Sequence, residues 1–175
     1  YDDIKIMDNQ NGLYLVKQNN LYGVVDTKGK VIMNPEYNQI GVDINKYANS
    51  GIENPYVLLD EIIPVKNSGG LWAIFNKKGE KIRDFEFSNI GSGTSSSTQS
   101  ANNYPAIVIP SYKIIIVEKD KHYNLMTTNG EELVPSYVLE NVYIKNNTET
   151  GENNYYMTYN NKVMSVEEWL ASTGR

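Results

Sequence analysis

Short apolar runs, each bounded by polar turn residues, recur along the whole chain, a pattern typical of β-strands joined by tight turns. Three segments align with one another: 21–29, 71–79 and 122–130. The glycines that end them are about 50 residues apart, which is the length of the repeat. Each segment has an aromatic residue at its second position, then an apolar pair, then a polar stretch that ends in glycine. The pattern predicts a strand that runs into a turn, where Asp26 or Asn76 accepts a hydrogen bond from the backbone and glycine supplies a positive φ.

Further apolar runs lie on both sides of each turn. The second strand of each hairpin is predicted at residues 30–33, 81–84 and 132–134. The strand before each hairpin is predicted at residues 13–17, 62–66 and 114–118. A still earlier strand is predicted at residues 4–7, 56–59, 106–109 and 155–158. Enrichment in Val, Ile, Tyr and Phe supports these strands, so each unit is expected to contain about four.

These elements predict an all-β fold of tandem antiparallel hairpin or meander repeats. An open β-repeat array is expected, with propeller-like blades as the alternative. We expect a single domain over residues 1–175 whose units are a half-unit at about 1–20, three units at about 21–70, 71–121 and 122–164, and a terminal helix at 165–175. Ser165 and Glu168 form a capping box that predicts the start of this helix. Trp169 and Leu170 are expected to cover the last strand pair.

A long polar loop follows the hairpin at the same place in each repeat. These loops cover residues 41–54, 91–103 and 145–154, and the middle loop is rich in Gly, Ser and Thr, as flexible linkers are. Loops at one phase are expected to project from one side of a repeat array, where such proteins often bind. Two interpretations stay open: a binding surface, or insertions that are merely tolerated.

The spacing of the repeated residues resembles the bacterial WG (KWG) repeat family. The matching positions are Val16 and Lys17, residues 21–26, Lys28 and Gly29, and Tyr37, followed by 65–66, 71–76, 78–79 and Phe87 in the next unit. Residues 117–137 match less well, only Tyr22-Gly23 keeps the family's glycine, and only Trp72 keeps its tryptophan. The resemblance implies a β-repeat fold and a secreted or envelope-attached location. It implies no enzymatic activity.

Composition narrows the set of partners. The 175 residues include 16 basic and 21 acidic side chains, for a net charge of −5. Nucleic acid and anionic membranes are therefore not expected as partners, because phosphate binding needs clustered Lys and Arg. The longest apolar runs fall short of a membrane span, so membrane insertion is not expected. The absence of cysteine excludes disulfides and thiolate metal sites. Composition leaves the oligomeric state open.

Catalytic chemistry has few candidate residues. His122 is the sole histidine and occupies a strand start, which disfavours histidine triads and multi-histidine metal centres. Asp84 and Glu86 are two residues apart and could share a strand face, as a glycosidase pair would, but a solvated edge is the better explanation of the pair. We expect no enzyme activity, no cofactor and no metal. A carboxylate-dependent glycan hydrolase or accessory domain is the alternative.

Aromatic residues at equivalent positions are the candidate binding residues. Tyr22, Trp72 and Tyr123 follow the strand starts, and Tyr37 and Phe87 lie beyond the second strands. Such rings could stack on sugars or grip a peptide, although a buried ladder between units is the favoured explanation. The hypothesis is a non-catalytic binding module of a bacterial cell-envelope or secreted protein, with a protein or glycan ligand. A structural spacer within a longer repeat protein is a further alternative.

Overall fold

The computed structural model describes residues 1–93 and 103–175. Their strands form four antiparallel sheets of four strands each, and a short helix follows the last strand. The predicted all-β repeat fold is confirmed. Contacts divide the chain into two compact units: Tyr1–Asp43 with Glu53–Phe87, and Ile44–Ile52 with Ser88–Arg175. The predicted single domain and its unit boundaries stay predictions.

The first compact unit contains two sheets. Sheet 1 consists, in order, of β1 (Asp3–Asp8), β2 (Leu13–Gln18), β3 (Leu21–Asp26) and β4 (Val31–Tyr37). Sheet 2 consists, in order, of β5 (Gln39–Ile40), β6 (Ile62–Lys66), β7 (Trp72–Asn76) and β8 (Lys81–Phe87). Strands that follow each other in sequence are neighbours in both sheets, so each sheet is a meander.

The second compact unit contains the other two sheets. Sheet 3 consists of β9 (Asn89–Ile90), β11 (Val108–Ile109), β12 (Ile114–Lys119) and β13 (His122–Thr127). Sheet 4 has the order β10 (Asn103–Pro105), β14 (Asn141–Asn146), β15 (Asn153–Tyr159), β16 (Lys162–Ser165). A short 3₁₀ segment, Pro110–Tyr112, precedes β12, and helix α1 (Val166–Ser172) follows β16.

The repeated glycines close hairpin turns, as the sequence predicts. Gly29 has a φ of +80°, and its amide donates to the Asp26 carbonyl at 3.0 Å. The Asp26 carboxylate accepts from the Lys28 amide, two residues on, at 2.8 Å. The same arrangement recurs after Asn76, where the φ of Gly79 is +82°. The glycine is therefore required by the backbone of the turn.

The first strand of sheet 2 is divided by a long loop. Ile40 of β5 pairs with Val65, and after the loop Leu58 forms a bridge with Ile62 further along the same edge of β6. Sheet 3 repeats this arrangement, because β9 and β11 both pair with β12. The predicted loops at 41–54 and 91–103 are therefore insertions within a strand position. Most of the second loop, residues 94–102, lies outside the described residues.

Three strand predictions differ from the structure, and one of them, residues 56–59, contributes only the isolated bridge at Leu58. Residues 155–158 lie in β15, which turns directly into β16 through Asn160 and Asn161, both at positive φ, as β2 turns into β3 through Asn19 and Asn20. They are thus the second strand of their unit rather than the first, and the loop before them joins the paired strands β14 and β15. Residues 132–134 form only an isolated bridge between Glu132 and Met126.

Each sheet has two faces that pack differently. We call the face of sheet 1 that carries Leu15 and Val24 its forward face, the opposite face its rear face, and name the equivalent faces of the other sheets likewise. The forward face of sheet 1 packs on the rear face of sheet 2, which carries Ile63, Val65, Ala73 and Phe75. In the second unit the forward face of sheet 3 packs on the rear face of sheet 4, which carries Val142, Ile144, Tyr155 and Met157.

Helix α1 covers one side of the second core. The Ser165 hydroxyl accepts a hydrogen bond from the Glu168 amide at 3.3 Å, which caps the helix as the sequence predicts. Leu170 is buried against the core of sheets 3 and 4, and Trp169 packs beside it. The predicted covering role of these two residues is confirmed. No helix among the described residues is long and apolar enough to cross a bilayer.

Candidate functional site

The candidate aromatic residues lie in rows that run across the strands. In sheet 1, Tyr22 lies opposite Lys17 on β2 and Tyr37 on β4. In sheet 2, Trp72 lies opposite Lys66 and Phe87. The structure thus places Tyr22 beside Tyr37 and Trp72 beside Phe87, and it adds a lysine to each row. The Val-Lys phrase before each hairpin was the sequence signal for that lysine.

The third row departs from this arrangement. Tyr123 lies opposite Glu118, and its other neighbour is Leu139 rather than an aromatic residue. The Tyr123 hydroxyl donates to the Ser92 carbonyl at 2.7 Å. Burial, reinforced by the nearby Glu118 carboxylate, raises the pKa of this phenol well above its usual range. Tyr123 is therefore a neutral, buried hydrogen-bond donor.

Burial decides what these rings can contact. Trp72 is 6% exposed, Phe87 0% and Tyr123 6%. Tyr37 is half-buried, stacks on Phe85 at 5.9 Å between ring centroids and meets Phe75 edge-on at 5.6 Å. Stacking on a sugar needs an accessible ring face, so this burial favours the ladder interpretation. As binding residues, the five aromatics stay a prediction.

Each of the two lysines places its ammonium over the ring of its aromatic partner. The Lys17 ammonium lies 5.5 Å from the Tyr22 ring centroid, and the Lys66 ammonium lies 5.9 Å from that of Trp72. Cation–π contacts of this length stabilise exposed sites by about 0.5–1 kcal/mol. The contact also keeps the apolar stem of the lysine over the ring, which leaves less of the ring open to a ligand.

The acidic pair of β8 is engaged in ion pairs. The Asp84 carboxylate contacts the Lys81 ammonium at 3.0 Å, and Glu86 pairs with Arg83. The hydrogen bond from Lys81 lowers the pKa of Asp84. A glycosidase needs one carboxylic acid that keeps its proton near neutral pH, which requires a raised pKa. Lys81 instead lowers the pKa of Asp84, so this carboxyl group does not have the raised pKa that a general acid requires.

His122 lies on the surface, where its Nδ1 is 3.0 Å from the Asp120 carbonyl oxygen. This places it at a strand start beside the β12–β13 turn, as the sequence predicts. Over residues 1–93 and 103–175, no three His, Asp or Glu side chains are grouped so as to hold a metal ion.

The loop between β5 and β6 has a fixed base. The Tyr47 hydroxyl donates to the Ile90 carbonyl at 3.1 Å and accepts from the Gly93 amide at 3.2 Å. The Ser50 hydroxyl accepts from the Ile107 amide at 3.0 Å. Tyr47 and Ser50 are buried, whereas their loop neighbours Asn45 and Asn49 are exposed. The loop therefore presents polar groups from a rigid support.

A second loop, between β14 and β15, meets the first. Asn147 organises its turn, because its carbonyl accepts from the Gly151 amide at 2.7 Å and its side chain accepts from the Glu149 amide at 3.0 Å. The side-chain amide of Asn153 donates to the Asn49 carbonyl at 3.1 Å. We call residues 44–52 and 147–152 the loop pair. Sequence reasoning predicted both loops, but no local signal indicated that they touch.

A cleft of about 520 Å³ lies beside β15, β16 and the start of helix α1. Its lining includes Tyr156, Val163 and Glu167. The Tyr156 ring stacks on Tyr143 with 5.8 Å between centroids. Sequence reasoning missed this cleft because it assigned β15 to a different place in the repeat.

Sheets 1 and 2 share the same hairpin, turn glycine and cross-strand row, so the chain is a tandem β-repeat protein. The family model described as WG containing repeat matches residues 1–22 and 22–48. The matched stretch is part of the region that resembles the WG repeat family, and it includes Lys17, Tyr22 and Gly23. No curated protein matches the chain.

Proposed function

We propose that the chain is a non-catalytic binding module of a bacterial cell-envelope or secreted protein, and that the loop pair holds a protein or glycan ligand. The observation that carries this proposal is the hydrogen bond from Asn153, at the start of β15, to the Asn49 carbonyl, which holds the first loop beside the second. The location outside the cell follows from the family resemblance alone.

The chemistry of the loop pair suits a polar ligand. Asn49, Thr148, Glu149 and Glu152 are exposed and offer amide, hydroxyl and carboxylate groups for hydrogen bonding. The buried Tyr47 and Ser50 hold the base of the first loop, so ordering this part of the surface on binding costs little conformational entropy. Loops on a rigid scaffold are where binding residues concentrate.

The aromatic rows and the acidic pair of β8 are less suitable as functional sites than the loop pair. The ladder rings are buried or covered by lysine, which leaves little aromatic surface for stacking. The Asp84 carboxylate is held in its charged form by Lys81, which disfavours the general acid that a glycan hydrolase requires. Binding without turnover is therefore the better-supported function.

Loop replacement tests the proposal. Residues 147–152 are replaced by Asn-Gly, which closes a two-residue hairpin. The unchanged chain and the variant are then probed on a glycan microarray and against a displayed peptide library. The matched control replaces residues 68–70, the turn between β6 and β7, by the same Asn-Gly. We expect the glycans or peptides bound by the unchanged chain to be lost by the loop variant and kept by the control.

Two results would overturn the proposal. One is binding that survives the loop replacement but is lost in Tyr22→Ser, which would place the ligand on the sheet. The other is turnover of a bound glycan that Asp84→Asn or Glu86→Gln abolishes, which would make the chain an enzyme.

A further inference from the structure

The rear face of sheet 1 exposes large aliphatic side chains. Ile4 and Ile6 on β1 are 55% and 59% exposed, and Val31 on β4 is 44% exposed. The strand register places all three on one face, because they lie opposite Val16, Tyr14 and Val25, respectively. Exposed aliphatic residues thus lie at both edges of a single sheet face.

The equivalent residues of the other sheets are aliphatic and buried. The position of Ile4 corresponds to Ile40, Ile90 and Val142, which pair with the second strands of their sheets in the same register. The position of Ile6 corresponds to Val57, Val108 and Ile144. None of these six residues is more than 5% exposed. Among the four sheets, these two positions face solvent only in sheet 1. Ile4 and Ile6 are therefore residues of the type that a covering element normally buries.

The covering element is known for two of these faces. The forward face of sheet 1 covers the rear face of sheet 2, and the forward face of sheet 3 covers the rear face of sheet 4. A rear face of this kind is therefore shaped to receive the forward face of another sheet of the same repeat, in the aligned packing that β-sheets adopt.

The forward face of sheet 4 also presents apolar side chains to solvent. On sheet 4, Val163 is 58% exposed, and the stacked rings of Tyr143 and Tyr156 are half-buried. The cleft beside them, at the start of helix α1, is lined in part by Tyr156 and Val163.

We propose that copies of this chain associate head to tail, with the forward face of sheet 4 in one copy packed on the rear face of sheet 1 in the next. Ile4, Ile6 and Val31 of one copy contact Tyr143, Tyr156 and Val163 of its neighbour. The contact continues between copies the forward-on-rear packing found inside each compact unit. Because the two surfaces differ, the contact is heterologous and adds copies without limit unless the rotation closes a ring.

Two single substitutions test this arrangement by sedimentation velocity. The unchanged chain is expected to form species that grow with concentration. Ile6→Asp blocks the sheet 1 face, and Val163→Asp blocks the sheet 4 face, so each variant alone should sediment as a monomer. An equimolar mixture should form a dimer of one copy of each variant and nothing larger, because each variant keeps the one face that the other has lost.

Controls separate this result from unfolding and from ligand binding. Leu71→Asp changes a side chain that is 39% exposed and lies on neither face, so it should associate like the unchanged chain. Circular dichroism melts check that all variants are folded. The variant with residues 147–152 replaced should also still associate, which keeps this proposal distinct from the proposed ligand site.

Three outcomes would overturn the proposal. The first is an unchanged chain that stays monomeric at every concentration. The second is Val163→Asp forming dimers by itself, which would indicate a two-fold contact between sheet 1 faces. The third is a mixture of the two folded variants that stays monomeric.

Discussion

The Tyr47 hydroxyl donates a hydrogen bond of 3.1 Å to the Ile90 carbonyl, which joins a residue in the loop between β5 and β6 to the first strand of sheet 3. The same hydroxyl accepts from the Gly93 amide. At Gly91 a Cβ atom would lie 2.4 Å from the Tyr47 oxygen, so the chain there needs glycine to approach the ring. One side chain thus holds the end of β9 and the segment that follows it, in addition to the pairing of β9 with β12.

Tyr47→Phe is expected to loosen β9. The substitution leaves the Ile90 carbonyl and the Gly93 amide without their partner, which should lower the free energy of unfolding by about 1–3 kcal/mol. Hydrogen exchange at residues 89–93 should accelerate, as mass spectrometry of short peptides can show. Tyr159→Phe removes a hydroxyl from an exposed ring and is the control. Unchanged exchange at residues 89–93 would contradict the prediction.

Gly23→Ala is expected to destabilise sheet 1. A Cβ atom at Gly23 would lie 2.5 Å from the Met33 carbonyl oxygen and 2.7 Å from the Pro35 nitrogen, and both belong to the backbone of β4. Because backbone must move to relieve the clash, we expect a loss of about 1–3 kcal/mol in urea unfolding. The control is Gly69→Ala, whose added methyl meets only the Asn67 side-chain oxygen, at 3.3 Å. Equal losses in both variants would refute this explanation of Gly23.

The emission of Trp72 reports whether the aromatic row is buried in solution. The chain has two tryptophans, so Trp169→Phe isolates the Trp72 signal. We expect blue-shifted emission and severalfold slower quenching by acrylamide than in the urea-unfolded chain, because Trp72 is packed in the row between Lys66 and Phe87. Rapid quenching, or a shift on addition of a bound glycan, would return the ring to the list of ligand contacts.

Stability should fall in alkaline solution because of Tyr123. Burial raises the pKa of this phenol in the folded chain, whereas the unfolded chain releases the proton near its ordinary pKa of about 10. Above that pH the unfolded state binds fewer protons than the folded state, so the free energy of unfolding decreases as pH rises. Below that pH the phenol keeps its proton in both states, so Tyr123 makes its full contribution to the free energy of unfolding. One such group accounts for a slope of up to about 1.4 kcal/mol per pH unit.

Urea unfolding between about pH 9 and pH 11 measures this slope. Tyr123→Phe should show a shallower decline, because its ring cannot ionise in either state. Tyr155, whose pKa is also raised by burial, supplies part of the slope that remains. An identical slope in Tyr123→Phe and in the unchanged chain would exclude Tyr123 as the cause.

The features that could be predicted from the sequence are those with local causes. The turns at Gly29 and Gly79 follow from a positive φ next to a side chain that accepts backbone hydrogen bonds, and both can be read within five residues. The helix start at Ser165 is local in the same sense. These elements were predicted at the positions where the structure has them.

The features that could not be predicted depend on pairing between distant residues. Residues 155–158 have the composition of any strand, and only their pairing with β14 and β16 assigns their place in the repeat. The hydrogen bond between Asn153 and Asn49 joins residues far apart in the sequence, so the loop pair was not visible as one surface. Burial of Trp72 likewise depends on what covers it, since an aromatic at that position suits a ladder and a ligand platform equally well.

The divided first strand of sheet 2 bears on how such a chain tolerates change in length. Ile40 and Leu58 keep their places on β6 whatever lies between them, and β7 holds the other edge of that strand. A segment of different length can enter here without a shift of register, which would turn every side chain of the strand to the opposite face. Such a position allows one repeat to acquire new recognition segments while its fold stays constant.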